Sequence, residues 1–423
     1  MSKFFEKLRL TFFDQVLRKR IIFAVILLVL SRVLAIIPIS GIDPLRLQVL
    51  LSNSEFLNLL NLFSGGGLSN LSIVMLGVGP YITASIIMQL MTVMSPKLKA
   101  MYQEEGEAGR KRFAQYSRIL TVPLALIQGY AFIKLLQGQG ALPALSLEVL
   151  AVDLLIILAG SMLLMWIGEL ISEFGIGNGV SLIIFAGIVV ALPSALGQLL
   201  FTYDPAQLPI YAAGLVVAFL VTFGVVVVTE AERPIPVTYA KQVRGGSTYG
   251  GVSTYLPLRI NQAGVIPIIF ALSILLFPQM IFQFLARSTI AVVSSISSGI
   301  LALLANNWFY TSAYFVLVVL FTYFYTAVTF EPNAIAENLQ KNGAFIPGVR
   351  PGPSTSEHLG RTITRITFVG ALFLGVIAVM PILVQNLTGI QNLAIGGTGL
   401  LIVVSVILDL ARRIDAQISI REY

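Results

Sequence analysis

The sequence predicts an all-α protein that crosses a membrane about ten times. Three observations predict it: the balance of apolar and charged residues, the length of the apolar runs, and the sidedness of the basic residues. Of 423 residues, 57% are hydrophobic and 11% charged, with a mean hydropathy of +0.89, far from the composition of a chain dissolved in water. Runs able to cross about 30 Å of hydrocarbon as a helix of roughly 20 residues lie near residues 21–37, 71–94, 117–136, 151–171, 179–200, 209–229, 262–286, 308–330, 364–386 and 393–411. They are continuous rather than alternating, which selects helices over a barrel. With the N-terminus inside, 23 of the 27 Lys and Arg fall on the inner side; Arg46, Lys134 and Arg287 fall outside and Arg32 within the first span. That asymmetry places both termini in the cytoplasm.

Along the chain, the N-terminal tail sets Phe4, Phe5, Leu8, Phe12 and Leu17 among six basic residues, the pattern of an amphipathic helix on the inner leaflet. No small-residue cleavage site follows the first apolar run, so that run is read as a retained span. Arg32 stands six residues before Pro38, about 9 Å of helix from the outer end. Snorkelling to that end is the expected role, with a substrate role as the alternative. The stretch NLFSGGGLSNLSI, residues 61–73, holds three consecutive glycines and forms helix poorly. It reads as a short, mobile half-helix, its irregular backbone buried in protein or lining a cavity, or as an external loop. The GIGNG run at 175–179 is a tight turn between two spans.

Two inner loops, 230–260 and 331–361, are larger and more basic than topology requires. They read as docking surfaces, the second presenting Arg350 on a turn stiffened by Pro347, Gly348, Pro351 and Gly352; a solvated charged loop is the alternative. Residues 288–304 are moderately apolar and read as an external loop against the membrane, because a further crossing would put the seven basic residues beyond it outside. Ten spans with both ends inside divide into halves of five, 1–200 and 201–423, of opposite orientation.

The residue inventory excludes much chemistry. Without Cys there are no thiolate ligands, disulfides or cysteine nucleophiles. The single His, His358, is assigned to a polar loop, which leaves no imidazole cluster and no His-dependent triad. Asp153, Glu169, Glu173 and Asp409 fall near span ends, and no HExxH, GxSxG, Walker or Rossmann pattern is present. The expectation is therefore no catalytic residue, no metal and no cofactor. A secondary transporter would need coupling carboxylates and unwound helices at the midplane, and an intramembrane enzyme a catalytic pair at that depth. Several spans instead combine small residues, which permit close packing, with aliphatics able to gate a pore by dewetting.

Seven stretches carry a resemblance: FSGGGLSNLSI followed by GVGPYITASIIMQL; GEAGRKRFAQYSR; FGIGNGVSLIIFAG; VTYAKQVRGG; LPLRINQAGVIPIIFALSILLFP; NLQKNGAFIPGVRPG; and GGTGLLIVV. Over essentially its whole length the chain resembles the SecY family, the channel subunits of the bacterial Sec translocon. The resemblance implies two inverted five-helix halves around a central hourglass pore with a plug and a lateral gate. Matched motif by motif, the pore ring comprises Val78, Ile82, Val180, Ile184, Ile269 and Ile402, with Val at two positions where the family often has Ile. The plug is 63–73, including Phe63, Ser64, Gly65, Gly66, Gly67 and Leu68. The lateral gate lies between Gly79–Met91 and Gln262–Phe277. Lys241, Arg244 and Arg350 match docking positions for the SecA motor ATPase and the ribosome. Implied partners are SecE-like and SecG-like small subunits, signal sequences, nascent chains and membrane lipids, in the bacterial cytoplasmic membrane.

Overall fold

The computed structural model describes residues 14–39, 61, 64, 66–68, 71–138, 142–143, 145–201, 208–239, 242–244, 247–249, 253–286, 290–388 and 397–419. The chain forms two compact units: Met1–Asp204 with Ser273–Asn306 and Val406–Tyr423, and Pro205–Leu272 with Asn307–Ser405. Each of the ten predicted spans contains a helix. These are α1 (Gln15–Leu34), α2 (Gly79–Met94), α4 (Gly106–Gly138), α5 (Leu147–Phe174), α6 (Gly179–Phe201), α7 (Leu208–Glu230), α8 (Ile266–Leu285), α10 (Asn307–Thr329), α12 (Pro353–Thr388) and α13 (Gly397–Ser419). Shorter helices are α3 (Pro96–Gln103), α9 (Ala291–Leu304) and α11 (Pro332–Lys341). Among the described residues five helical segments, in α4, α5, α7, α10 and α12, are long and apolar enough to cross a membrane by length and composition. The outward faces of α1 and α7 leave Val25, Ile26, Val29, Leu215, Phe219 and Phe223 exposed, as lipid rather than water requires.

In the first unit α2 packs on α4, α4 on α5, and α1 on both α5 and α6. Helix α1 starts six residues before the apolar run because Asp14 caps it, accepting from the backbone N–H groups of Val16 and Leu17. Leu17, expected on the leaflet, is instead buried in a small core with Ile176 and Ile418; the rest of the predicted tail helix lies outside the described residues. Residues 288–304, expected as a loop, contain α9, whose 14 residues span about 21 Å, less than the hydrocarbon thickness. Ser294 Oγ donates to the carbonyl of Ala286, at 2.7 Å, tying α9 back to the end of α8.

The second unit carries the sheet. Strands β1 (Glu232–Tyr239), β4 (Ser253–Arg259) and β5 (Ala344–Phe345) form one antiparallel sheet in the order β4-β1-β5, and β2 (Gln242–Arg244) pairs with β3 (Ser247–Tyr249). Alternate residues Ile235 and Val237 point inward, as the strand period dictates. They meet Leu258, Ala344, Ile346, Leu359, Ile363 and Ile366 in one core, with Ile335 and Leu339 of α11 against it. The two inner loops are therefore one folded subdomain rather than two separate surfaces. His358, assigned to a loop, lies on the first turns of α12, exposed, its carbonyl accepting from Thr362. Glycines let helices close up on α12: Phe315 and Val319 of α10 lie over Gly375, and Phe373 lies against Gly224 of α7, as small residues permit in membrane packing.

Candidate functional site

The apolar run 71–94 becomes helix only at Gly79. Before it, 71–78 is a succession of turns: the N–H of Met75 donates to Ser72, of Gly77 to Val74 and of Gly79 to Leu76, all to carbonyls. Upstream, the N–H and Oγ of Ser72 both donate to the carbonyl of Gly67, and Leu68 N–H donates to Ser64 Oγ. Two bonds to the end of α1, Ile39 N–H to Leu71 O at 2.9 Å and Ile73 N–H to Ile37 O at 3.0 Å, flank a bridge between Pro38 and Ser72. Leu68, Leu71, Val74 and Met75 are buried. Irregular backbone at membrane depth survives where protein buries it, and here every one of these bonds is internal to the segment or made with Ile37 and Ile39, just past α1. Among the described residues of 61–73, Asn61 is helical, Ser64, Gly66, Gly67, Leu68 and Leu71 make turns, and Ser64, Gly67, Leu68, Leu71 and Ser72 are buried. Phe63 and Gly65 lie outside the described residues.

Leu71 adopts φ +40°, a region branched or bulky residues rarely enter, so packing holds it there. The segment approaches α5 at Gly160, where a Cβ would overlap the Ile73 carbonyl oxygen and stand 3.2 Å from Val74 Cγ1.

The ring positions are placed as follows. Val78 caps α2 and is wholly buried; Ile82 lies one turn on, its N–H donating to the Val78 carbonyl. Val180 and Ile184 occupy the first turns of α6, after a turn in which Gly177 takes φ +87°. Ser172 Oγ donates to the Gly168 carbonyl and accepts from the Gly179 N–H. At Gly168 a Cβ would lie 3.1 Å from Val180 Cγ2 and 3.4 Å from Ile183 Cδ1, so Val180 rests partly on α5, while Ile184 is buried. These four belong to the first unit; Ile269 on α8 and Ile402 on α13, both buried, belong to the second. The ring of Phe270 meets Phe321 and Tyr325 of α10 edge-on, at 5.9 and 6.3 Å, which fixes the rotation of α8 beside Ile269.

Of the docking residues, Lys241 lies outside the described residues and Arg244 lies on β2, opposite Ser247. Arg350 is exposed in the turn between β5 and α12, and its carbonyl accepts from Thr355 Oγ1 at 2.8 Å. Gly348 and Gly352, with φ of +81° and +96°, supply the left-handed backbone this turn needs.

Two interactions went unread in the sequence. Arg32 donates through Nη2 to the carbonyl of Ile183, at 2.9 Å. Arg118 of α4 pairs with Glu169 of α5 at 2.7 Å. No local pattern signals either, because the partners are 151 and 51 residues apart. Among the described residues no three His, Asp or Glu side chains gather as a metal site.

These features define a polytopic helical membrane protein with a buried, non-helical segment leading into its second span and a folded subdomain of strands and helices built from two inter-span loops. A sequence model of the SecY family matches residues 72–411. The chain is 42% identical over 432 residues to the protein translocase subunit SecY of Corynebacterium glutamicum, covering 97% of each. It is 40% identical to those of Mycobacterium bovis and Streptomyces coelicolor, covering 96% of each. The chain belongs to the SecY family. Its fold is that of solved channels: a protein-conducting channel, at TM-score 0.66 and 20% identity over 94% of this chain and 92% of that one, and Sec61 in a canine ribosome-channel complex, at 0.63 and 20% over the same shares.

Proposed function

We propose that this chain is the channel-forming subunit through which unfolded polypeptides cross the bacterial cytoplasmic membrane and from which apolar segments leave sideways into lipid. The observation that carries the reading is identity of 40–42% with protein translocase subunits along nearly the whole chain. The turn segment leading into Val78 and Ile82 supports it. In this reading Val78, Ile82, Val180, Ile184, Ile269 and Ile402 form an aliphatic ring that excludes water and ions until a passenger fills it. Residues 63–73 plug the outer side, and α2 and α8 flank the lateral exit. The halves 1–200 and 201–423 are inverted repeats, with both termini cytoplasmic, as the basic residues orient them.

Conduction is passive. The ring side chains are aliphatic and make no hydrogen bonds to a passenger, which suits passengers of any sequence; direction comes from a SecA-type motor or from translation. Lys241, Arg244 and Arg350 receive that motor or the ribosome, since guanidinium and ammonium groups pair with RNA phosphate or an acidic protein face. Relatives solved on ribosomes, Sec61 and the yeast Ssh1 complex, support the second partner. SecE-like and SecG-like subunits complete the assembly, and signal sequences and nascent chains are its clients.

The test is Ile82→Asn and Ile402→Asn, each in the purified complex in planar bilayers. A polar side chain in the ring admits water, so resting conductance rises. Resting conductance equal to the parent's in both variants removes the ring assignment.

A further inference from the structure

Arg32 lies within the first span, and its guanidinium donates to a backbone carbonyl of α6. We infer that Arg32 is a positioning residue for the channel ring: its bond to the Ile183 carbonyl sets the rotation of α6 and so the direction of Ile184. The inference rests on the ring reading of the proposed function.

The first turns of α6 are held from two sides. On one, Val180 and Ile183 lie over Gly168 of α5, within 3.1 and 3.4 Å of where a Cβ would stand; any larger residue there would lift them off. On the other, Arg32 Nη2 donates to Ile183 O at 2.9 Å. That carbonyl lies inside α6, where the N–H of Gly187 takes one lone pair in the helical pattern and the second stays open to another donor. The residues one turn on, Ala186 and Gly187, are small enough to leave that approach clear. Arg32 itself stands in the last turn of α1, where the negative end of the helix dipole favours a cation. A charged donor gives a stronger and more directional bond than a neutral one. Successive residues on a helix differ by about 100° in direction, so fixing Ile183 at both its side chain and its carbonyl fixes Ile184 beside it.

The experiment uses the purified complex in planar bilayers with three variants: Arg32→Met, Arg32→Lys and Ile82→Asn. Losing a charge-assisted bond shifts a two-state balance by about tenfold, so Arg32→Met should raise resting conductance about tenfold, and Arg32→Lys, which keeps a charged donor, by less. Because the chain has no Cys, Ile184→Cys gives a second readout: a water-soluble thiol reagent should modify it faster when Arg32 is Met. If Arg32→Met does not assemble, Arg32→Gln is read in its place. Parent-like conductance and parent-like labelling in the Arg32 variants, with Ile82→Asn leaking, would overturn the inference and leave the ring standing. A silent Ile82→Asn would take the ring reading down first.

Discussion

Replacing Gly160 with alanine would set a methyl group where α5 already meets the turns before α2. The Cβ would overlap the Ile73 carbonyl oxygen and stand 2.7 Å from its carbon, and Val74 Cγ1 at 3.2 Å closes a second direction. What must yield is backbone rather than a flexible side-chain tip. That backbone is tied to α1 through Ile37 and Ile39, so the shift is resisted. Overpacking of this kind costs about 1–3 kcal/mol, against a gain of about 1 kcal/mol from alanine in a helix. With little room to relax, the upper half of the range applies, and the net cost of about 1–2 kcal/mol corresponds to roughly a 5- to 30-fold change in an equilibrium. The strain falls on 71–78 and on Val78 at its end. Resting conductance of the Gly160→Ala complex should therefore rise by about an order of magnitude, and its thermal transition should fall. Gly299→Ala on α9 is the control, since nothing lies within 4 Å of its Cβ position; it should leave conductance alone and hold or raise the transition. Gly160→Ala behaving like Gly299→Ala would refute the packing argument.

Four further outcomes are expected. Gly179→Ala drives a Cβ into the Gly168 carbonyl oxygen and to 2.8 Å from Ile171 Cβ, so it should cost about 1–3 kcal/mol and lower the yield of assembled protein on size exclusion. Leu258→Ala empties part of the subdomain core, at about 2–5 kcal/mol, and limited proteolysis should then cut within 230–260 and 331–361 while the spans stay protected. Arg350→Glu should abolish motor- or ribosome-coupled transport with assembly intact; full transport would remove the docking role. The Glu337 carboxylate, hydrogen-bonded to Lys341 at 2.8 Å, is held below its ordinary pKa. Its pair stabilises above the unfolded carboxylate pKa and is lost as pH falls through the lower folded value. The difference in thermal transition between parent and Glu337→Gln should therefore shrink to nothing on acidification, and a difference that grows would reverse the sign.

What could be read from the sequence was what a bilayer imposes. Each span had to be apolar over its length, so all ten helices were visible as runs. Their polar extensions were not: α4 begins 11 residues before its run, at Gly106, and α12 11 residues before its own, at Pro353, because hydropathy says nothing about helix in water. The turns at 71–78 were hidden for the opposite reason. Leu71, Val74 and Met75 are as apolar as a span, and it is the hydrogen bonds within the segment and to Ile37 and Ile39 that separate buried turns from helix. Ring and docking positions came from family motifs rather than from periodicity, although Val78 with Ile82 and Val180 with Ile184 share faces one turn apart. The Arg32 bond needed the fold, since a cation near a span end has a cheaper-looking exit along its own helix.

Helix α12 runs for 36 residues without interruption, about 54 Å. Its first turns supply Leu359, Ile363 and Ile366 to the subdomain core, and the same rod then continues past Gly370 and Gly375 alongside α10. No loop intervenes to absorb a push. A load applied at Arg350, three residues ahead of that rod, would therefore pass into the stretch of α12 that packs on α10, with no hinge to divert it.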